Sequence, residues 1–146
     1  MKKNLTIIIL CILSVSAFSQ NEQAFKGHIY CDEYQIWIDM NFYDADVLIP
    51  EQEIFGEVAG YIGAVRDPRK WIIISAVLTD EKTAKLEIIN DYGSEDLKAT
   101  LTKQQDGSYV LRQESGNTLK IVVNRKWLKL PKTVSFKVSE TPSKTR

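Results

Sequence analysis

From residue 25 onward the side chains alternate, apolar then polar, and no other period repeats along the chain. Tyr34, Ile36, Ile38, Met40 and Phe42 interleave with Gln35, Trp37, Asp39 and Asn41. A period of two sends successive side chains to opposite sides of an extended backbone, so each such run predicts a strand with one face in a core. Ile54, Val58 and Ile62 alternate in the same way with Glu57 and Tyr61. Ala84, Leu86 and Ile88 follow the rule, as do Leu97, Ala99 and Leu101, and Leu119, Ile121 and Val123. Val134, Phe136 and Val138 close the series, and Tyr109 and Leu111 mark a further short run before Arg112. Residues 71–78 are almost continuously apolar, which predicts a strand covered on both faces.

Turn-forming residues separate the runs. Asp106-Gly107 predicts a tight hairpin of type I′, whose two central residues both need positive φ. Asp67-Pro68, Asp91-Tyr92-Gly93-Ser94, Ser115-Gly116-Asn117 and Lys129-Leu130-Pro131 mark the other breaks. No long segment of helical period lies between strands, which argues for antiparallel hairpins over crossover helices. Only residues 44–53 have room for a short helix, and Pro50 limits it. The expected fold is all-β: an antiparallel meander of eight to nine strands closed as a barrel, which removes the exposed sheet edges. Gly56, Gly60 and Gly63 fall in one run, where glycine implies tight coiling or the close approach of another chain segment. A two-sheet β-sandwich is the alternative, since it would also cover residues 71–78 on both faces.

The first residues speak to location. Lys2-Lys3, an apolar run over residues 5–15 and the small residues Ala17 and Ser19 before Gln20 have the three-part plan of a secretory signal peptide. The run is too short for a permanent membrane span, and bulky Ile9 and Leu10 before Cys11 do not suit lipoprotein processing. The expected organisation is a signal peptide at 1–19, a single barrel domain at 20–139 and a flexible polar tail at 140–146. The protein would then be exported, to the periplasm or the medium. Lys2 and Lys3 leave with the signal, so 17 of the 19 basic residues face 19 acidic ones. A net charge near −2 offers no case for nucleic acid or an anionic membrane surface as partner. Cys31 is left as the one cysteine of the mature chain. A disulfide framework is thereby excluded, and a buried thiol is expected because Cys31 shares the parity of Phe25 and Ile29.

The order of these features resembles the small calycin-type barrels, the lipocalin and avidin group. The residues that carry it are Phe25-Lys26-Gly27-His28-Ile29, Gly56-Glu57-Val58-Ala59-Gly60-Tyr61, the late hairpins at Asp106-Gly107-Ser108-Tyr109 and Gly116, and the closing Val134-Ser135-Phe136-Lys137-Val138. The resemblance implies a barrel and a habit of binding small ligands or proteins. It transfers no site residue: His28 and Ile29 follow Gly27 where lipocalins place Gly-x-Trp, and no avidin-type set of biotin contacts is present.

Candidate chemistry is sparse. His28 is the sole histidine, too few for a histidine-rich metal site, and its parity places it on the polar face with Lys26 and Tyr30. Asp91, Glu95 and Asp96 cluster, but Asn90 to Ser94 is also what an ordinary turn requires. Asp39, Glu57 and Glu87 occupy polar positions, and nothing singles out two of them as a catalytic pair. There is no nucleophile elbow, phosphate-binding loop or dinucleotide fingerprint, so no catalytic residue, metal or cofactor is expected. If the aliphatics face inward, then Trp37, Phe55, Tyr61, Trp71 and Ile73, with Ile89, face outward and form an aromatic patch on neighbouring strands. Such a patch marks an interface, unless the chain covers it with its own residues 44–53 or its tail. Small inward residues (Gly56, Gly60, Ala76, Ala84, Ala99) leave room for a ligand in the lumen, while Ile36, Met40, Phe42, Leu86, Leu101 and Phe136 are large enough to fill it. The functional expectation is an exported, non-enzymatic binding protein. Its partner is a small apolar ligand inside the barrel or a protein on the aromatic face. An inhibitor or immunity protein that occludes a foreign enzyme is one alternative, and a carboxylate-dependent hydrolase another. The oligomeric state is not legible.

Overall fold

The computed structural model describes residues 23–139. The expected signal peptide at 1–19 and tail at 140–146 lie outside the described residues. Eight strands close into an antiparallel barrel: β1 (Lys26–Cys31), β2 (Ile36–Asn41), β5 (Gly60–Ala64), β6 (Asp67–Asp80), β7 (Thr83–Asn90), β8 (Asp96–Lys103), β9 (Tyr109–Gly116) and β12 (Thr133–Val138). They follow one another around the wall, and β12 returns to pair with β1. The barrel expectation holds over the sandwich. Two short pairs interrupt the meander: β3 (Val47–Leu48) with β4 (Glu57–Val58) between β2 and β5, and β10 (Lys120–Val123) with β11 (Lys126–Lys129) between β9 and β12. Residues 44–53 form no α-helix; a single 3-10 turn at Glu53–Phe55 follows Pro50.

The alternating aliphatics line the interior, and they fill it. Phe25, Ile36, Ile38, Leu101, Leu111 and Phe136 each have 0% of their surface accessible. A void able to hold one water would leave accessible area on its lining side chains, so the lumen around these residues is packed solid. One end is closed by Phe25 stacked on Phe42 and by Tyr109, whose hydroxyl donates to the Ala24 carbonyl. The other end is closed by the β10–β11 hairpin, which drops Leu119, Ile121 and Leu130 into the core. Cys31 is a buried free thiol, as its parity implied.

Of Gly56, Gly60 and Gly63, the last two answer to close approach, whereas Gly56 has open space around it and sits at positive φ. A Cβ on Gly60 would sit 2.5 Å from the Asp39 carbonyl oxygen, and one on Gly63 would sit 2.4 Å from the Trp37 ring. The hairpin at Asp106-Gly107 forms, but not as type I′. Only Gly107 takes positive φ, and Asp106 instead accepts from both the amide and the hydroxyl of Ser108. Two consecutive positive-φ residues do occur at Asn124 and Arg125, between β10 and β11.

The strand at residues 71–78 corrects the parity reading. Trp71 and Ile73 point into the core, not outward. The pairing of β6 with β7 shifts between Ile73 and Ser75. That bulge inserts one residue, Ile74, and reverses the phase of the alternation. Ala76 and Leu78 pack inward beyond the bulge, and extrapolating their parity backward places Trp71 and Ile73 on the wrong side. Ile72 is the outward residue instead. Nor is the whole run covered twice: Ile74 and Val77 are exposed.

Candidate functional site

The connection from β2 to β5, residues 42–59, folds back as a flap over the outer wall. Ile49, buried to 2% exposure, is its anchor. It packs with Tyr61 and Ile72 from the barrel wall, and Trp37, Val47, Phe55, Val58 and Ile89 surround them. The wall positions follow from register. His28 pairs with Asp39, Asp39 with Tyr61, Tyr61 with Ile72, and Ile72 with Ile89, so these five side chains form one row across β1, β2, β5, β6 and β7. Of the expected aromatic patch, the structure therefore assembles Trp37, Phe55 and Tyr61. Trp71 and Ile73 belong to the interior. The patch is largely covered by the chain's own flap.

The row is polar at one end. The His28 Nδ1 lies 2.5 Å from Asp39 Oδ1, and the Tyr61 hydroxyl donates to Asp39 Oδ2 at 2.7 Å. The Trp37 indole N–H is buried without a hydrogen-bond partner, and its ring covers Gly63 closely enough to leave no room for a side chain there. Lys70 places its ammonium 5.7 Å from the Trp37 ring centre. Burial, and then the bond to Asp39, hold the Tyr61 hydroxyl protonated far above the usual tyrosine range. His28 was expected on the surface, yet its side chain is only 13% exposed and is tied to Asp39. The arrangement joins three strands through one carboxylate and leaves both oxygens of Asp39 engaged. Chemically it is a hydrogen-bonded crosslink: His28 meets a single carboxylate on a wall, not several around a cleft.

Where the flap tip meets the β7–β8 turn, the outer surface opens into a shallow groove of ≈ 460 Å³ lined by Glu51, Gln52, Ile54, Phe55, Asp91 and Tyr92. Gln52 Nε2 donates to Asp91 at 3.3 Å, and the Lys70 amide donates to the same carboxylate at 3.2 Å. The first bond holds the flap tip to the turn, and the second ties the turn to β6. The turn itself is built by Asn90, whose side-chain oxygen accepts from the amides of Ser94 and Glu95. Asp91 thus serves as a latch. Ile54 is 91% exposed and Tyr92 76%. Both are large apolar groups standing in water on the two sides of one groove, with Leu48 also exposed on the flap.

Sequence parity alone missed Ile49, Ile72 and the His28–Asp39 link, since all three depend on which strands become neighbours. The expectation for Ile54 is corrected too: its alternation with Val58 and Ile62 placed it on an inward strand face, but Glu53–Phe55 forms a 3-10 turn instead of a strand and leaves Ile54 in solvent. Comparison with protein-family models, with curated proteins and with solved structures returned no match. Among the described residues, no helix is long and apolar enough to cross a membrane.

Proposed function

We propose that this chain is an exported calycin-like barrel that acts by binding a protein partner on its outer wall, at the groove between the flap tip and the β7–β8 turn. One observation carries the reading: the lumen is packed with side chains, while Ile54 and Tyr92 hold large apolar surfaces in solvent across a shared groove. Apolar anchors beside a concave patch are what interfaces are built from. The groove's charged lining groups, Glu51 and Asp91, are acidic, and Glu53 adjoins them on the flap. The complementary partner surface offers an apolar side chain rimmed by Lys or Arg. This favours a protein partner over a small ligand held inside the barrel.

The test is affinity capture from the exported fraction, using the native protein and the double variant Ile54→Ser with Tyr92→Ser. Both residues contact mainly water, so thermal stability should stay within about 0.5 kcal/mol of the parent. A specific protein retained by the parent and lost by the variant supports the reading. Equal retention by both, or an apolar small molecule extracted from the purified barrel, sinks it. If the captured protein is an enzyme and is inhibited, binding serves occlusion.

A further inference from the structure

The near-neutral net charge hides a strong segregation. Residues 27–65 contain eight carboxylates and no Lys or Arg, whereas residues 115–139 contain six Lys or Arg and no carboxylate. Four of the second group, Lys120, Arg125, Lys126 and Lys129, lie on the β10–β11 hairpin. Register puts Lys120 opposite Lys129 and Val122 opposite Trp127, all on one face. Arg69, from the start of β6, joins them: its guanidinium lies 4.8 Å from the Trp127 ring centre, and the Lys120 ammonium lies 4.7 Å from it. The face is held rigidly. The buried Asp67 carboxylate accepts the Val122 amide at 2.8 Å, and the Trp71 indole donates to the Lys120 carbonyl at 3.0 Å.

Two like charges directly opposite on paired strands oppose folding. Glu95 neutralises Lys120 at 2.8 Å. Among the described residues, Arg69, Arg125, Lys126 and Lys129 have no carboxylate at salt-bridge distance. All four residues of β11 are exposed, so Trp127 stands in water on one side of the strand and Leu128 on the other. An edge strand presenting an aromatic ring among uncompensated cations breaks the local rules of a stable fold without a structural return, as functional surfaces do.

We infer that the β10–β11 hairpin docks on an anionic lipid surface. The cations supply attraction to lipid phosphate, and Trp127 supplies a ring suited to the headgroup layer, where tryptophan concentrates. Because its two faces carry Trp127 and Leu128, the exposed strand can enter that layer edge-on. A soluble polyanion would satisfy the charges but gives no role to the exposed ring and Leu128. This inference is independent of the groove proposed above, which lies on other residues.

The experiment is co-sedimentation of the intact protein with vesicles of phosphatidylglycerol and phosphatidylcholine in equal parts, against phosphatidylcholine alone. Binding should require the anionic lipid and weaken at least about tenfold between roughly 50 and 500 mM salt. Charge reversal in Lys126→Glu with Lys129→Glu should weaken it by a similar factor, with the melting curve confirming the fold. Should that pair fail to fold, Arg125→Glu at the exposed turn replaces it. Trp127 is the most exposed of the three tryptophans, so its emission should shift to the blue on binding, and Trp127→Phe should abolish the shift. Equal binding to both vesicle types overturns the inference. So does binding that ignores charge reversal, in which case the lysines only protect an exposed strand edge from pairing. Salt-sensitive capture by heparin as strong as by the vesicles, with no emission shift on lipid, also overturns it and names a soluble polyanion as the occupant.

Discussion

Tyr61 joins an apolar cluster to a polar crosslink with one side chain. Its ring packs under Ile49 and beside Ile72, and its hydroxyl donates to Asp39, which also holds His28. Tyr61→Phe keeps the ring and removes the donor. A hydrogen bond to a charged acceptor that is itself partly solvated contributes about 1–2 kcal/mol, and the variant should lose that much in urea unfolding at neutral pH. The pH dependence has a definite sign. The native state raises the Tyr61 pKa above the ordinary value of 10.0 and so binds the proton more tightly than the unfolded chain does. The stabilisation is whole below about pH 10 and is lost progressively as pH rises beyond that value. The parent should therefore lose stability in the alkaline range more steeply than Tyr61→Phe. Equal slopes for the two proteins would show that the hydroxyl titrates freely.

The flap is an element that exists only because the barrel wall gives it something to sit on. Its strands β3 and β4 are two residues each, far too short to persist alone. Ile49 is its one fully buried apolar side chain in the cluster with Tyr61 and Ile72, with Val47, Phe55 and Val58 packed around it, and the Gln52–Asp91 bond fastens its tip. Ile49→Ala removes buried aliphatic volume that ordinarily stabilises by roughly 2–4 kcal/mol. The loss should appear locally first, because the flap can lift while the wall stays paired. Hydrogen exchange should accelerate at the amides of Val47 and Val58 and stay slow at Leu101 on β8. Uniform acceleration through β8 would mean that flap and barrel open as one unit.

At the scale of the whole molecule, a closed barrel of this strand number is just wide enough to be filled by side chains or to hold one small ligand. Here the side chains fill it. The fold thereby commits its interior to packing, so the recognition proposed above falls to the outside, at the flap groove and the charged hairpin. Leu101→Ala should leave a dry cavity and cost about 3–5 kcal/mol. The enlarged interior should then take up benzene, which calorimetry or a rise in melting temperature would detect, while the parent takes up none. Benzene binding by the parent would show that the wall breathes enough to admit a ligand.

Alternation along β1, β2, β7, β8 and β12 was enough to specify antiparallel strands with an inward face, because side-chain direction in a strand is local and repeats every two residues; closure as a barrel was the expectation, but the same pattern fitted a two-sheet sandwich, and only the pairing of β12 with β1 decided it. The burial of Cys31 and the close approach at Gly60 and Gly63 were legible for the same reason: each is dictated by parity or by the absence of a side chain. The tertiary structure alone decided the rest. A single inserted residue at Ile74 reversed the phase of β6 and moved Trp71 and Ile73 from the expected patch to the core. Which strands lie beside one another brought His28 to Asp39 and set the flap on Tyr61. Folding also gathered cations from distant stretches around Trp127, a field that the net charge had averaged away. Bulges, strand neighbours and surface fields depend on where distant segments meet in space, and periodicity along the chain carries no record of that.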